Sequence, residues 1–173
     1  MVLGLGGNVG DEAAIVARFD AVAAAFAAWG PVRASRVYRT APLGGVAQPA
    51  FLNAALAVTV APAPEPAELV AGLLEIERLL GRDRRREARW GPRTIDVDVL
   101  LWGDREVRWP GAGGVRLEVP HPRLTARVFA LAPVADLLGD DHVVPGTGRT
   151  VGAWRAAAGD QGVALTDLAF GAS

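Results

Sequence analysis

The run Thr94-Ile95-Asp96-Val97-Asp98-Val99 sets two acids two residues apart in a strongly β-branched stretch. Successive side chains of a strand point to opposite faces, so Ile95, Val97 and Val99 share one side and Asp96 and Asp98 the other. The rise per residue then puts the two carboxylates roughly 6–7 Å apart. Ionised acids at that spacing repel unless cations lie between them. Hard oxygen ligands suit Mg²⁺, which keeps several waters and takes one or two carboxylates plus substrate phosphates. A strand with one wet face is the plain alternative, and the apolar neighbours Val99, Leu100 and Leu101 speak against it. Just upstream, Arg78, Arg82, Arg84, Arg85, Arg86, Arg89 and Arg93 are opposed only by Asp83 and Glu87. Guanidinium forks match phosphate oxygens in two-point contacts. A basic loop running into a two-acid strand is a layout for a nucleoside triphosphate with magnesium. A solvated charged loop is the plain reading. A nucleic-acid groove would add stacking aromatics, of which only Trp90 is near.

The rest of the composition narrows the chemistry. The chain has 173 residues, no cysteine, two histidines and a net charge of −1, and all 18 of its basic residues are arginine. Without cysteine there are no disulfides, thiol nucleophiles or cysteine zinc sites. Without lysine there is no P-loop, no protein-kinase strand lysine and no Schiff base. His121 stands between Pro120 and Pro122, so its backbone is fixed; it is either a rigid donor beside a phosphate or a structural histidine. His142 sits in an acidic turn and reads as solvated. Gly4-x-Gly6-Gly7-Asn8 lacks the spacing of a dinucleotide fingerprint and reads as a tight turn that lets backbone approach a ligand. No run reaches the roughly 20 apolar residues of a membrane span. A cytoplasmic monomer with neither nucleic-acid nor membrane partner is expected.

These residues need a scaffold, and one domain over residues 1–173 is expected. Met1 to Leu5 reads as a strand. Glu12 to Trp29 is a helix capped by Asp11, with Ile15, Phe19, Val22 and Phe26 on one face. Val32 to Arg39 is a strand, Thr40 to Pro49 a shaped loop, and Phe51 to Val60 a further strand. Ala67 to Leu80 is a helix with Leu69, Leu73, Ile76 and Leu80 on one face. Arg82 to Pro92 is a loop and Thr94 to Trp102 a strand. The order β-α-β-β-α-β is the split βαβ of an α+β, ferredoxin-like fold, a four-stranded antiparallel sheet with two helices on one face. A hairpin over Glu106 to Val119, turning at Gly111 to Gly114, a helix from about Thr125 to Leu138 and a tail follow.

The stretch Arg89-Trp90-Gly91-Pro92-Arg93-Thr94-Ile95-Asp96-Val97-Asp98 resembles the signature of the 6-hydroxymethyl-7,8-dihydropterin pyrophosphokinase family. Further family-like pieces follow in family order: Leu5-Gly6-Gly7-Asn8, Tyr38 to Gly44, Gln48 to Ala54, Ile76-Glu77 with Gly81-Arg82, Pro120 to Arg123, and Phe129. The resemblance spans about residues 2–150 and leaves the final stretch without an assigned role. It implies transfer of the β,γ-diphosphate of ATP to the pterin hydroxymethyl oxygen, with AMP released. It implies two Mg²⁺ on Asp96 and Asp98, with Arg82 and Arg93 clamping the diphosphate. Glu77, Trp90, Ile95, Arg116, His121 and Arg127 join the ATP set. Asn53 would read the pterin edge with groups near Thr40, Pro42 and Leu43, between the rings of Phe51 and Phe129, and Asp96 belongs to this set as well. Gly7 stands where the family often has Ser. The loops 44–49 and 82–92 would close over the site.

Overall fold

The computed structural model describes residues 1–42, 47–85, 91–111 and 116–171. Helices and short strands surround one antiparallel sheet. The elements are β1 (Val2–Gly7), α1 (Glu12–Ala27), β2 (Val32–Ala34), β3 (Tyr38–Thr40), β4 (Phe51–Val58), α2 (Pro66–Leu79), β5 (Asp96–Leu101), β6 (Val107–Trp109) and β7 (Leu117–Val119). A 3₁₀ turn at Leu124–Ala126 leads into α3 (Val128–Leu138), followed by β8 (Val143–Val144), β9 (Arg149–Thr150), α4 (Val151–Ala158) and β10 (Ala164–Leu165). The sheet runs β10-β3-β4-β1-β5, with β2 also on β4, and every pairing is antiparallel. β6 pairs with β7 and β8 with β9. No helix among the described residues is long and apolar enough to cross a membrane.

α1 starts where its cap requires: the Asp11 carboxylate accepts from the Ala14 N–H at 2.8 Å, satisfying one of the orphan donors of the first turn. Its stripe Ile15, Phe19, Val22 and Phe26 is buried against the sheet, together with Leu69, Val70 and Leu73 of α2. α3 covers the opposite face, over Val2, Ala55, Leu100 and Leu101. On α2 the inward stripe is rotated from the one expected: it is Leu69, Val70, Leu73 and Glu77 that are buried, while Ile76 and Leu80 only border the core.

The strand expected over Val32 to Arg39 is two short strands, β2 and β3, both on β4. Ala34 pairs with Leu56 and Tyr38 with Asn53, so three residues oppose two and the chain bulges at Ser35–Val37. The Ser35 hydroxyl accepts from the Ala55 N–H, restoring the bond the ladder loses there. The Arg36 N–H in the bulge turns to Asp136 of α3, which also receives the Tyr38 hydroxyl. β1 likewise runs past Leu5 to Gly7, where a turn was expected.

The sheet is also wider than four strands, because the tail adds to it. β10 pairs with β3, Thr166 bonds the Val37 carbonyl through N–H and hydroxyl, and Phe170 packs edge-on against Phe19 at 5.5 Å. Phe170→Ala should therefore cost about 3 kcal/mol, lowering the thermal midpoint by roughly 10 °C in a calorimetric scan.

Candidate active site

The sheet register lines up the chemistry before any side chain is considered. One cross-strand row on the α3 face reads Tyr38, Asn53, Gly6, Asp96, and the next reads Ala55, Gly4, Asp98. Asn53 and Asp96 are thus two strand spacings apart, about 9–10 Å, with only a glycine between them. Over these rows opens a cavity of about 540 Å³, bounded by α3's first turn, by His121 and by Arg82, Arg84 and Arg93. Gly4 and Gly6 form its floor. A Cβ on Gly4 would lie 3.0 Å from the Leu100 side chain, and one on Gly6 would stand 3.5 Å from the Asn53 Oδ1. These glycines lie within a strand rather than in a turn, and what they provide is an open floor between an amide and an acid.

Asp96 and Asp98 face this cavity together, as the strand alternation dictates, while Ile95, Val97 and Val99 enter the core. Beneath them lies a buried ion-pair cluster. Arg82 Nη1 stands 2.5 Å from both Glu77 Oε1 and Asp96 Oδ1. Arg84 donates to Glu77 Oε2 at 2.6 Å and 3.0 Å, and the Val97 N–H donates to Glu77 Oε1 at 2.9 Å. Burial raises the Glu77 carboxyl above its ordinary value, and Arg82, Arg84 and the Val97 N–H draw it only part of the way back. With both oxygens accepting from donors on three residues, Glu77 is ionised. It holds Arg82 from below while Val97, between the two acids, is tied to the same carboxylate.

Asp98 is pushed up to about 7 by burial and by the charges of Asp96 and Glu77. A carboxylate pair with this repulsion on an open wall fits a hard divalent cation. Among the described residues no group of three or more His, Asp or Glu gathers for a metal, so waters and phosphate oxygens would complete a magnesium shell. His121 Nδ1 accepts from the Arg123 N–H at 3.1 Å, which leaves the proton on Nε2, 3.7 Å from Asp98. Burial, with Arg127 and Arg123 near, lowers its pKa to about 4. His121 is therefore a neutral donor at pH 7.

The two shifts act on stability with opposite signs. A depressed histidine makes the unfolded chain bind the extra proton, so stability rises with pH from about 4 to 6.5. A raised aspartate makes the folded chain bind it, so metal-free stability falls with rising pH up to about 7. In the wild type the two slopes oppose each other. Asp98→Asn should expose the histidine slope, its thermal midpoint climbing more steeply than the wild type's between pH 4 and 6.5.

Thr40, Phe51, Asn53, Arg82, Arg93, Asp96, Asp98, His121, Arg127 and Phe129 all line the cavity. Asn53 Nδ2 donates to Thr40 Oγ1 at 2.9 Å, and the Arg127 guanidinium lies 5.3 Å from the Phe129 ring centroid. Four expected site residues are not on its walls. Glu77 is buried below, and Ile95 is wholly within the core with no exposed surface to offer a ligand. Arg116 is exposed ahead of β7, and Pro42 stands outside the lining. Leu43 and Trp90 lie outside the described residues, as do parts of both expected closing loops.

Sequence reasoning gave Asn8 no role of its own. Its side chain donates to Gln48 Oε1 and to the Pro49 carbonyl, both at 3.0 Å, and accepts from the Arg93 N–H at 2.7 Å. Asn8 thereby joins both sides of the cavity mouth. The strand alternation that paired the acids would also have put Gly4 and Gly6 on one face.

The chain is similar to known proteins of one family. The family model for 7,8-dihydro-6-hydroxymethylpterin-pyrophosphokinase (HPPK) matches residues 2–139. A 2-amino-4-hydroxy-6-hydroxymethyldihydropteridine pyrophosphokinase of Bacillus subtilis is 38% identical over 135 residues, 78% of this chain and 75% of that protein. The protein of the same name from Methylorubrum extorquens is 41% identical over 138 residues, 80% of this chain and 82% of that one. A crystal structure of HPPK-DHPS from Plasmodium falciparum with pteroate matches with a TM-score of 0.68 at 14% identity, a likeness of fold. That match covers 90% of this chain and 42% of the other, so this chain spans about two-fifths of its length. The match over residues 2–139 takes in the glycine floor, the paired acids, the arginines beside them and Asn53, and on it the chain belongs to the 7,8-dihydro-6-hydroxymethylpterin-pyrophosphokinase family.

Proposed function

We propose that this chain transfers the β,γ-diphosphate of ATP to the hydroxymethyl oxygen of 6-hydroxymethyl-7,8-dihydropterin, yielding the pterin diphosphate and AMP for folate biosynthesis. The observation that carries this reading is the single row Asn53, Gly6, Asp96 across the floor of one cavity. An amide that can read a flat heterocycle's edge stands beside an acid that can hold a cation, with nothing between them but backbone. The strand order β3-β4-β1-β5 supports a ferredoxin-like arrangement beneath the site.

Asn53, steadied by Thr40, orients the pterin edge, and Phe51 and Phe129 offer faces for offset stacking. Arg82 and Arg93 approach the diphosphate, with His121 and Arg127 supporting. Asp96 and Asp98 hold two magnesium ions, which when bound supply charge neutralisation to the triphosphate oxygens. The pterin hydroxymethyl oxygen forms a bond to the β-phosphorus. The bond from that phosphorus to the α,β-bridging oxygen breaks, AMP leaves with the oxygen, and the hydroxyl proton passes to water. Catalysis is then positional and electrostatic, as in other phosphoryl transfers. We place the reaction in the cytoplasm, carried out by a monomer whose single domain spans residues 1–173, with no nucleic-acid or membrane partner.

The test is to mix the protein, MgATP and 6-hydroxymethyl-7,8-dihydropterin and identify the nucleotide formed. AMP supports the reading; pyrophosphate, ADP or no turnover overturns it. Gly6→Val places branched carbons on the floor beside Asn53. It should raise the KM for the pterin about 100-fold, a loss of near 3 kcal/mol, and leave the KM for ATP within about threefold.

A further inference from the structure

We infer that Gln161 is a positioning residue for the nucleotide end of the site: its side-chain amide sets the backbone of Arg127 and so aims the guanidinium into the cavity. The inference deepens the diphosphokinase reading and rests on it, yet it concerns a residue beyond the 2–139 span that matches the family.

Arg127 is the joint between the 3₁₀ turn Leu124–Ala126 and α3, and its backbone is extended there, with φ −126 and ψ 105. On one side of the joint, Gln161 Nε2 donates to the Ala126 carbonyl at 3.0 Å. On the other, Gln161 Oε1 accepts from the Val128 N–H at 3.0 Å. The amide therefore grips the two peptide groups that flank Arg127. That is the two-point pattern a neighbouring strand makes across one residue, and it holds the extended backbone conformation. In place of a strand, one glutamine serves.

Packing alone does not set this joint. Arg127, Phe129 and Ala130 line the main cavity, while Val128 and Gln161 line a second one behind, of about 430 Å³. The segment is thus a wall with open space on both sides. Gln161 is itself presented by a tight turn, in which the Gly162 N–H donates to Asp160 Oδ1 at 2.8 Å and Gly162 adopts φ +64. If the glutamine is lost, Arg127 keeps the bonds of its own N–H to Leu124 and of its carbonyl from Ala130 and Leu131, but the peptides on either side lose their grip and the guanidinium loses part of its aim.

Gln161→Ala should raise the KM for MgATP about fivefold, near 1 kcal/mol and in line with two exposed side-chain hydrogen bonds, with kcat within about twofold. Thr166→Ala is the stability control: it removes the bond to the Val37 carbonyl, which involves neither Arg127 nor the peptides beside it, and should leave both KM values unchanged. The deciding measurement is the double variant. Arg127→Ala with Gln161→Ala should match Arg127→Ala alone within about twofold, because Gln161 acts through Arg127. Multiplying effects, or a Gln161→Ala enzyme with wild-type KM values, overturn the inference. Should the wild type form no AMP, the diphosphokinase reading fails separately. The same variants are then compared by calorimetric titration with MgATP, where fivefold weaker binding supports the role of Gln161 and unchanged binding overturns it.

Discussion

Asp96→Ala should lower the rate of AMP formation by on the order of 10³-fold while pterin affinity stays within about threefold. Two losses combine. The wall keeps a single carboxylate, so cation binding to oxygen ligands weakens where the triphosphate charge must be offset. Arg82 loses the partner that draws its Nη1 toward the cavity at 2.5 Å, and the guanidinium relaxes onto Glu77. Asn53, Thr40 and Phe51 are untouched, so the heterocycle keeps its seat. Quench-flow detection of AMP beside a fluorescence titration with pterin separates the two quantities. Wild-type turnover in this variant would remove the paired acids from the reaction.

Glu77→Gln should cost about 3–5 kcal/mol of stability, the range for breaking a buried ion pair by neutralising one partner. The side chain is 2% exposed and Arg82 beside it 5% exposed. An amide can accept from the Val97 N–H and from Arg82, but its NH₂ must then face Arg84. The buried Arg82 guanidinium loses its buried counter-charge and keeps Asp96, whose side chain is 40% exposed. The thermal midpoint should fall by roughly 10 °C, and activity should fall with it even well below that midpoint, because Arg82 also contacts Asp96. A Glu77→Gln protein as stable as the wild type would show that Glu77 holds no such charge.

What could be read from the sequence follows from the range of the interactions involved. Alternation along one strand put Asp96 and Asp98 on a common face, and the capping chemistry of Asp11 started α1 at Glu12, because both are local rules. Glu77 is four residues beyond Leu73, on the buried side of α2. An acid at that position signals a buried partner, but only the fold reveals that the partners are Arg82, Arg84 and a backbone N–H of β5. The bulge at Ser35 was illegible because it depends on a hydroxyl reaching Ala55 on another strand. β10 was illegible because two residues carry no period, and it exists only where β3 offers an open edge.

The carboxamide of Asn8 has a consequence for motion. Its three hydrogen bonds join residues 48 and 49 to residue 93 across the cavity mouth. Each bank has its own bonds, but all three are carried by one planar amide, so a rotation of that group breaks them together and releases both banks in one cooperative event. At about 1 kcal/mol for each bond, the parted form would be populated on the order of one molecule in a hundred. Relaxation dispersion on the amides of Gln48 and Arg93 should then yield a single shared exchange rate.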